Sequence, residues 1–265
     1  RNTHFSYTLG ENLEHLTLVG ALALSGAGNT VANRLTGNEG DNLLQGLGGN
    51  DTLVYSKGND TLDGGTGSGD TVVYTNVTTS IEANLTTKIG QVVAEGSRQE
   101  FRYIENLSGG SAADKLTGDE NVNTLLGMGG NDTLSGEGGD DNLQGGEGND
   151  WLMGGAGADL LSGGAGIDTV SYASNVTGVT VELTQGQVGT ASLSNEAAGD
   201  AFSSIEIIEG GMGNDIFYAS ADATTIQGGA GTDTVDYSKH SSLLATDPGV
   251  TADLLRTSAL PSASV

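Results

Sequence analysis

Glycine returns in this chain with a nine-residue period, and that period limits the fold more than any other feature. In "GGEGNDWLMGGAGADLLSGGAGIDTVSY", residues 145–172, each unit opens on two glycines and places a third at its fourth position. An aspartate follows at the sixth position and one large apolar residue at the eighth. Neither a helix nor an ordinary packed strand tolerates so much glycine, which weakens both by roughly 0.5–1 kcal/mol per residue. A fixed short period instead describes units that lean on their neighbours in a stack.

Three runs of such units are present. The longest holds seven, from "GGSAADKLT" and "GDENVNTLL" through "GMGGNDTLS", "GEGGDDNLQ", "GGEGNDWLM" and "GGAGADLLS" to "GGAGIDTVS", residues 109–171. An earlier run, 28–74, ends on a unit lengthened by Gly69; a shorter one, 210–236, contains the degenerate "ASADATTIQ". Each run closes alike, with "DTVVY", "DTVSY" or "DTVDY". The sixth position holds Asp51, Asp60, Asp70, Asp114, Asp132, Asp141, Asp150, Asp159, Asp168, Asp215 and Asp233, with Asn33, Asn42 and Asn123 in weaker units and Thr224 in the failed one. The eighth is apolar throughout, from Leu35 to Val235.

Composition decides what these acids are for. The 265 residues carry a formal charge of −25 with 5% aromatics, a balance that ordinarily means disorder. Here the acids fall at fixed steps rather than in blocks, which points to one ligand common to all. So acidic a surface repels nucleic acid and anionic membranes and attracts cations. No basic patch and no apolar run of about 18 residues appears, so neither nucleic-acid binding nor a membrane span is expected. There is no cysteine, hence no disulfide framework. No signal peptide is visible after Arg1, and the chain reads as a piece of a longer protein.

Between the runs lie spacers of different texture, about 75–108 and 173–209, sharing "SIEANL" and "GVTVEL" and leading out through "YIENL" and "SIEII". Val179, Val181 and Leu183 alternate with Thr180 and Glu182, which predicts a half-buried strand. At the amino end Leu16, Leu18, Leu22 and Leu24 predict strands without ligand aspartates, a calcium-free start to the same stack.

A hard cation such as Ca²⁺ takes six to eight oxygens at about 2.3–2.6 Å, from carboxylates and backbone carbonyls. Glycines let a turn adopt φ > 0 and aim its carbonyls inward, while an aspartate adds charge at short reach. The units resemble the RTX, or hemolysin-type, calcium-binding nonapeptide G-G-x-G-x-D-x-U-x. That resemblance implies an all-β fold, a parallel β-roll in several runs joined by β-rich spacers. Six residues of each unit would turn, three would form a strand, and two units would make one coil with Ca²⁺ between stacked turns. It implies two columns, one with Asp114, Asp132, Asp150 and Asp168, the other with Asn123, Asp141 and Asp159. The metal candidates are the sixth-position Asp and Asn residues above, with the backbone at Gly130, Gly139, Gly146, Gly148, Gly155, Gly157, Gly164 and Gly166.

About nine sites are expected, roughly five in the long run, three in the first and one in the third, enough to offset about 18 negative charges. The inserted Gly69 weakens the case for Asp70. The expected organisation is a lead-in over 1–27, rolls over 28–74, 109–172 and 210–237, spacers over 75–108 and 173–209, and a further spacer or tail over 238–265. The expected function is a structural calcium-binding module of a secreted RTX protein, folding on extracellular calcium within an adhesin, surface-layer or similar exoprotein. Type I secretion machinery is the implied export partner. The rival reading is the calcium-dependent tail of an RTX exoenzyme or toxin whose active domain lies upstream; a third is a glycan- or cell-surface-binding module.

Other motifs read as structural. "DENVNT" opens like an EF-hand loop but lacks its Gly and terminal Glu. Trp151, at a seventh position, points outward. Tyr74, Tyr172 and Tyr237 are expected to cap the rolls, and Asp222, at a fourth position, to bind nothing. His4, His15 and His240 are too scattered for a zinc site. No G-x-S-x-G elbow, phosphate loop or Cys nucleophile is present, so no catalysis is expected within the segment.

Overall fold

Leucines 18 residues apart stack directly upon one another, and everything else in the architecture follows from that register. The computed structural model describes residues 2–3, 5–184, 188–192, 199–219 and 224–238. Asp222, His4, His240 and the tail from residue 239 lie outside them. Every regular element among the described residues is a strand, and the strands form two sheets, of fourteen and thirteen. Successive nonapeptides alternate between the sheets, so each coil consists of two units and pairs in parallel with the coil before it. The fold is a parallel β-solenoid of the β-roll kind.

The apolar eighth position fills the space between the sheets. Leu107, Leu125, Leu143 and Leu161 pair in succession in one sheet, and Leu116, Leu134, Leu152 and Val170 in the other. All eight are fully buried, each worth about 1.5–3 kcal/mol against exposure. The seventh and ninth positions face outward, so Trp151 is on the surface between Thr133 and Thr169.

The strands run longer than three residues. Thr124–Gly129, Thr133–Gly138, Asn142–Glu147, Trp151–Ala156 and Leu160–Ala165 each cross from one unit into the next. Pairing skips the first glycine and resumes at the second and third residues, as Met128↔Gly146 and Gly129↔Glu147 show. The turn proper is correspondingly shorter than the resemblance implies, because backbone pairing between coils persists wherever stacked units are superimposable.

The spacers are strands of the same two sheets. Ile81–Asn84, Ile89–Val92 and Ser97–Arg102 form an antiparallel meander inserted in the thirteen-strand sheet, between Thr61–Thr66 and Lys115–Thr117. In the other sheet at that level Thr71–Val73 pairs directly with Asn106–Ser108. The second spacer does the reverse. Thr180–Thr184, Val188–Ser192 and Ala201–Ser203 enter the fourteen-strand sheet, while Thr169–Ser171 pairs straight to Ile207–Glu209. Val179, Val181 and Leu183 are buried as the alternation predicts.

This continuity corrects two expectations. Tyr74 and Tyr172 do not cap roll ends, because the sheets do not end there. Tyr74 is fully buried and stacks on Tyr55 with ring centroids 5.2 Å apart. A Cβ on Gly90 would meet the Tyr74 hydroxyl at 2.1 Å and Phe101 at 2.4 Å, so a glycine in the meander makes room for both rings. Tyr172 donates its hydroxyl to Asp200 Oδ2 at 3.1 Å. At the amino end Leu16 and Leu18 are buried in His15–Leu18, but Leu22 lies exposed in a turn, and the next strand is Ser25–Ala27. Gly26 takes the inward place there because the side chains of Leu16 and Leu44 already fill it, 2.8 and 3.2 Å from where a Cβ would stand.

Candidate metal centre

The register that stacks the leucines also stacks the residues two positions before them. The Oδ1 of each sixth-position aspartate accepts the backbone N–H of the residue stacked beneath it in the preceding coil, which in the repeat runs is again a sixth-position residue. Asp132 so receives Asp114 at 2.7 Å, Asp150 receives Asp132 at 2.8 Å and Asp168 receives Asp150 at 2.8 Å. On the other side Asp141 receives Asn123 at 2.7 Å and Asp159 receives Asp141 at 2.9 Å. In the first run Asp51, Asp60 and Asp70 receive Asn33, Asn42 and Asp51, and in the third Asp233 receives Asp215. Two columns of carboxylates result, one along each edge of the roll.

Their second oxygens are a different matter. Oδ2 of Asp51, Asp70, Asp132, Asp141, Asp150, Asp159 and Asp168 is buried without a hydrogen-bond partner, on residues no more than 2% exposed. One unsatisfied buried oxygen of this kind costs about 1–3 kcal/mol, and more when charged. Seven repetitions of the same orphan are a design feature, and a cation of oxygen-seeking character answers it. No three acidic or imidazole side chains converge on one point among the described residues, so any such ion must be completed by backbone carbonyls.

The glycines explain how these oxygens fit. The first glycine of each unit lies against the carboxylate of its own turn: a Cβ on Gly127, Gly136, Gly145 or Gly154 would stand 2.2–2.3 Å from the orphaned Oδ2. The period signals these positions, yet they are absent from the expected metal set. Gly130, Gly139, Gly146, Gly148, Gly155, Gly157, Gly164 and Gly166 all have φ between 102° and 144°, which an L residue adopts only with strain. At the second position three units carry a side chain despite this: Leu47, Met128 and Glu137 sit at φ 75–76°. Met128 is half exposed, so Met128→Gly relieves left-handed strain at little packing cost. We expect it to stabilise the calcium-saturated fold by about 0.5–1 kcal/mol, read as a raised thermal midpoint; a lowered midpoint refutes the strain argument.

The sign of φ at that second position sorts the turns in two. All seven orphaned oxygens belong to turns whose second residue has positive φ: Leu47, Gly65, Met128, Glu137, Gly146, Gly155 and Gly164. In the other described turns below residue 224 it does not, and the second residue closes on the sixth. Gly110 N–H donates to Asp114 Oδ2 at 2.7 Å and Gly211 N–H to Asp215 Oδ2 at 2.9 Å; the Ser56 hydroxyl serves Asp60 at 3.0 Å. Beneath Asp114 and Asp215 lie spacer residues Ile81 and Val179, which offer N–H groups at 2.9 and 2.8 Å but no carboxylate.

Burial sets the electrostatics. It pushes the carboxyls of Asp51, Asp60 and Asp168 up to about 6 and those of Asp132 and Asp141 up to about 7. Hydrogen bonds from stacked N–H groups oppose that shift, while column neighbours add to it, as Asp114 and Asp150 do for Asp132. Asp70, Asp114, Asp150, Asp159 and Asp215 are raised for the same leading reason.

Three acids join the columns unexpectedly. Glu105 Oε2 accepts the N–H of Asp70 and Glu206 Oε2 that of Asp168, both at 2.8 Å, and Asp200 Oδ1 accepts that of Asp159 at 3.0 Å. "YIENL" and "SIEII" held the signal, an acid two places before a buried apolar residue; so did "GDAF", where Asp200 precedes Phe202 by the repeat's own spacing. A second ladder runs at the fifth position in the opposite sense. Asn131 Oδ1 accepts Asn149 N–H, and Asn149 Oδ1 accepts Ile167 N–H, each at 2.9 Å.

Residues 27–62, 36–70, 102–134, 135–170 and 209–238, together more than half of the chain, match the family described as RTX calcium-binding nonapeptide repeat (4 copies). No curated protein matches the chain. No helix among the described residues is long and apolar enough to cross a membrane.

Proposed function

This chain belongs to the RTX calcium-binding nonapeptide repeat family, and from that premise we propose that its rolls are a calcium-dependent scaffold within a larger secreted protein. The reading rests on one observation above the rest, the seven buried aspartate oxygens without a partner. Bound calcium would supply positive charge and a coordination shell that these oxygens complete. The residues proposed to hold it are Asp51, Asp70, Asp132, Asp141, Asp150, Asp159 and Asp168, with Asp233 in the third roll. Each carboxylate ties its turn to the preceding coil through Oδ1 and presents Oδ2 inward. The left-handed glycines keep the turn tight enough for backbone carbonyls to face the same gap.

Such a module has no chemistry to perform on a substrate. Its part is to be unfolded where free calcium is scarce and rigid where it is millimolar, which suits export of an extended chain by type I secretion machinery and folding outside the cell. A continuous stack with rolls at 28–74, 109–172 and 210–237 suits an adhesin, surface-layer or similar long exoprotein.

Asp150→Ala tests the assignment. It removes the acceptor of the Asp132 N–H and one inward oxygen. The variant should bind at least one Ca²⁺ fewer than wild type and need more calcium to reach half of its strand signal. Glu82→Ala, at an exposed position of the meander, should change neither. Equal calcium counts in Asp150→Ala and wild type would refute the assignment.

A further inference from the structure

We propose that Asn33, Asn42 and Asn123 build turns in which a side-chain amide stands where neighbouring turns take a cation, so that the gaps beneath these three residues hold no calcium. The proposal rests on the reading that orphaned aspartate oxygens hold calcium. It goes beyond it by dividing the stack into metal-dependent and metal-free levels.

The three units share a second substitution. They read G-N-T-V-A-N, G-N-E-G-D-N and G-D-E-N-V-N, so asparagine at the sixth position comes with Asn29, Asn38 or Asp119 at the second. The structure joins the two. The second residue's N–H donates to the sixth side chain's Oδ1 at 2.6, 2.7 and 2.7 Å, which closes the turn and satisfies the oxygen that the open aspartate turns leave orphaned.

The amide nitrogen then faces two oxygens. Asn123 Nδ2 donates to the Glu105 carbonyl at 2.8 Å and lies 3.4 Å from Asp119 Oδ1. Asn42 Nδ2 reaches Asn38 Oδ1 at 2.9 Å and the Leu24 carbonyl at 3.3 Å; Asn33 Nδ2 reaches Asn29 Oδ1 at 3.3 Å and the Leu13 carbonyl at 3.4 Å. In each case one acceptor is the second residue's side chain and the other a backbone carbonyl of the preceding coil. Gathering such oxygens is a cation's role, and a carboxamide NH₂ fills it with two donors and no net charge. All three asparagines are at least 96% buried, and none of their polar atoms is an orphan.

Two of these turns lie at the amino end and the third near the start of the long run. Asn33 and Asn42 therefore give the columns a preformed floor that does not wait for metal, and Asn123, between Glu105 and Asp141, divides its column.

Asn123→Asp and Asn42→Asp test this. Each exchanges the NH₂ for a carboxylate oxygen with no donor beside it, like Oδ2 in the open turns, while the second residue's N–H still holds the other oxygen. By native mass spectrometry at saturating calcium, each variant should bind one Ca²⁺ more than wild type and should require more calcium for half of its far-UV strand signal. Both variants folding with the wild-type count would overturn the proposal, since those gaps would then already hold an ion or accept none. Failure of both to regain strand signal at any calcium concentration would also overturn it. A wild-type chain binding no calcium at all would sink the underlying reading, and this proposal with it.

Discussion

In excess EGTA the far-UV strand signal of this chain collapses at pH 8, and millimolar CaCl₂ restores it. Without metal, seven buried carboxylate oxygens have no partner and stand in columns that place like charges one coil apart. An ion that binds the folded state and not the unfolded chain stabilises the fold by mass action. Protons should partly replace calcium. Burial pushes the folded carboxyls up to about 6 for Asp51 and Asp168 and about 7 for Asp132 and Asp141, from an ordinary 3.8. Between these values the folded state binds more protons than the unfolded one, so calcium-free stability is fullest below about 4 and is lost as pH rises through 6–7. The chelated chain should accordingly keep more strand signal at pH 5 than at pH 8. A chelated sample with its full strand spectrum at pH 8 would refute the account.

Gly148→Ala should be among the most damaging small substitutions in the long run. Its φ of 128° lies outside what an alanine adopts, and a Cβ there would stand 1.8 Å from the Gly130 carbonyl oxygen. That oxygen belongs to the turn one coil earlier and cannot retreat without breaking the stack, because a Cβ on Gly166 would meet the Gly148 carbonyl at the same 1.8 Å. Backbone strain and a main-chain clash together predict a loss above about 3 kcal/mol at saturating calcium. Gly129→Ala is the control: its φ is not left-handed and the nearest atoms lie 4.0 Å away, so it should change stability by less than about 0.5 kcal/mol. Comparable thermal midpoints for the two variants would show that the fourth-position glycines are not required by the turn.

Much of this was legible beforehand because a nine-residue repeat specifies its own neighbours. Once units two apart are superimposed, the burial of Leu125, Leu143 and Leu161 follows, and so does the stacking of Asp132 on Asp114. The spacers were less legible. Their strands are visible in alternations such as Val179, Val181 and Leu183, but no local pattern says which sheet they enter. Tyr74 read as a cap for the same reason, since a residue at the end of a run becomes interior once a meander continues the sheet above it. Glu105, Glu206 and Asp200 were missed because their acids sit in units without the glycine register.

The sequence by itself determined the nine-residue register, the inward leucines and the sixth-position aspartates, because spacing along the chain is all that these require, while the two-unit coil was implied by the RTX resemblance. Only the tertiary structure decided which turns are open. "GGMGND", residues 210–215, carries the full repeat yet closes on itself, whereas "GEGGDD", 136–141, is open although Glu137 must strain to allow it. The difference is what lies one coil below: Val179 of a spacer for Asp215, and another repeat turn for Asp141. For these two units the state of the oxygen depends on the turn stacked beneath as well as on the unit's own residues.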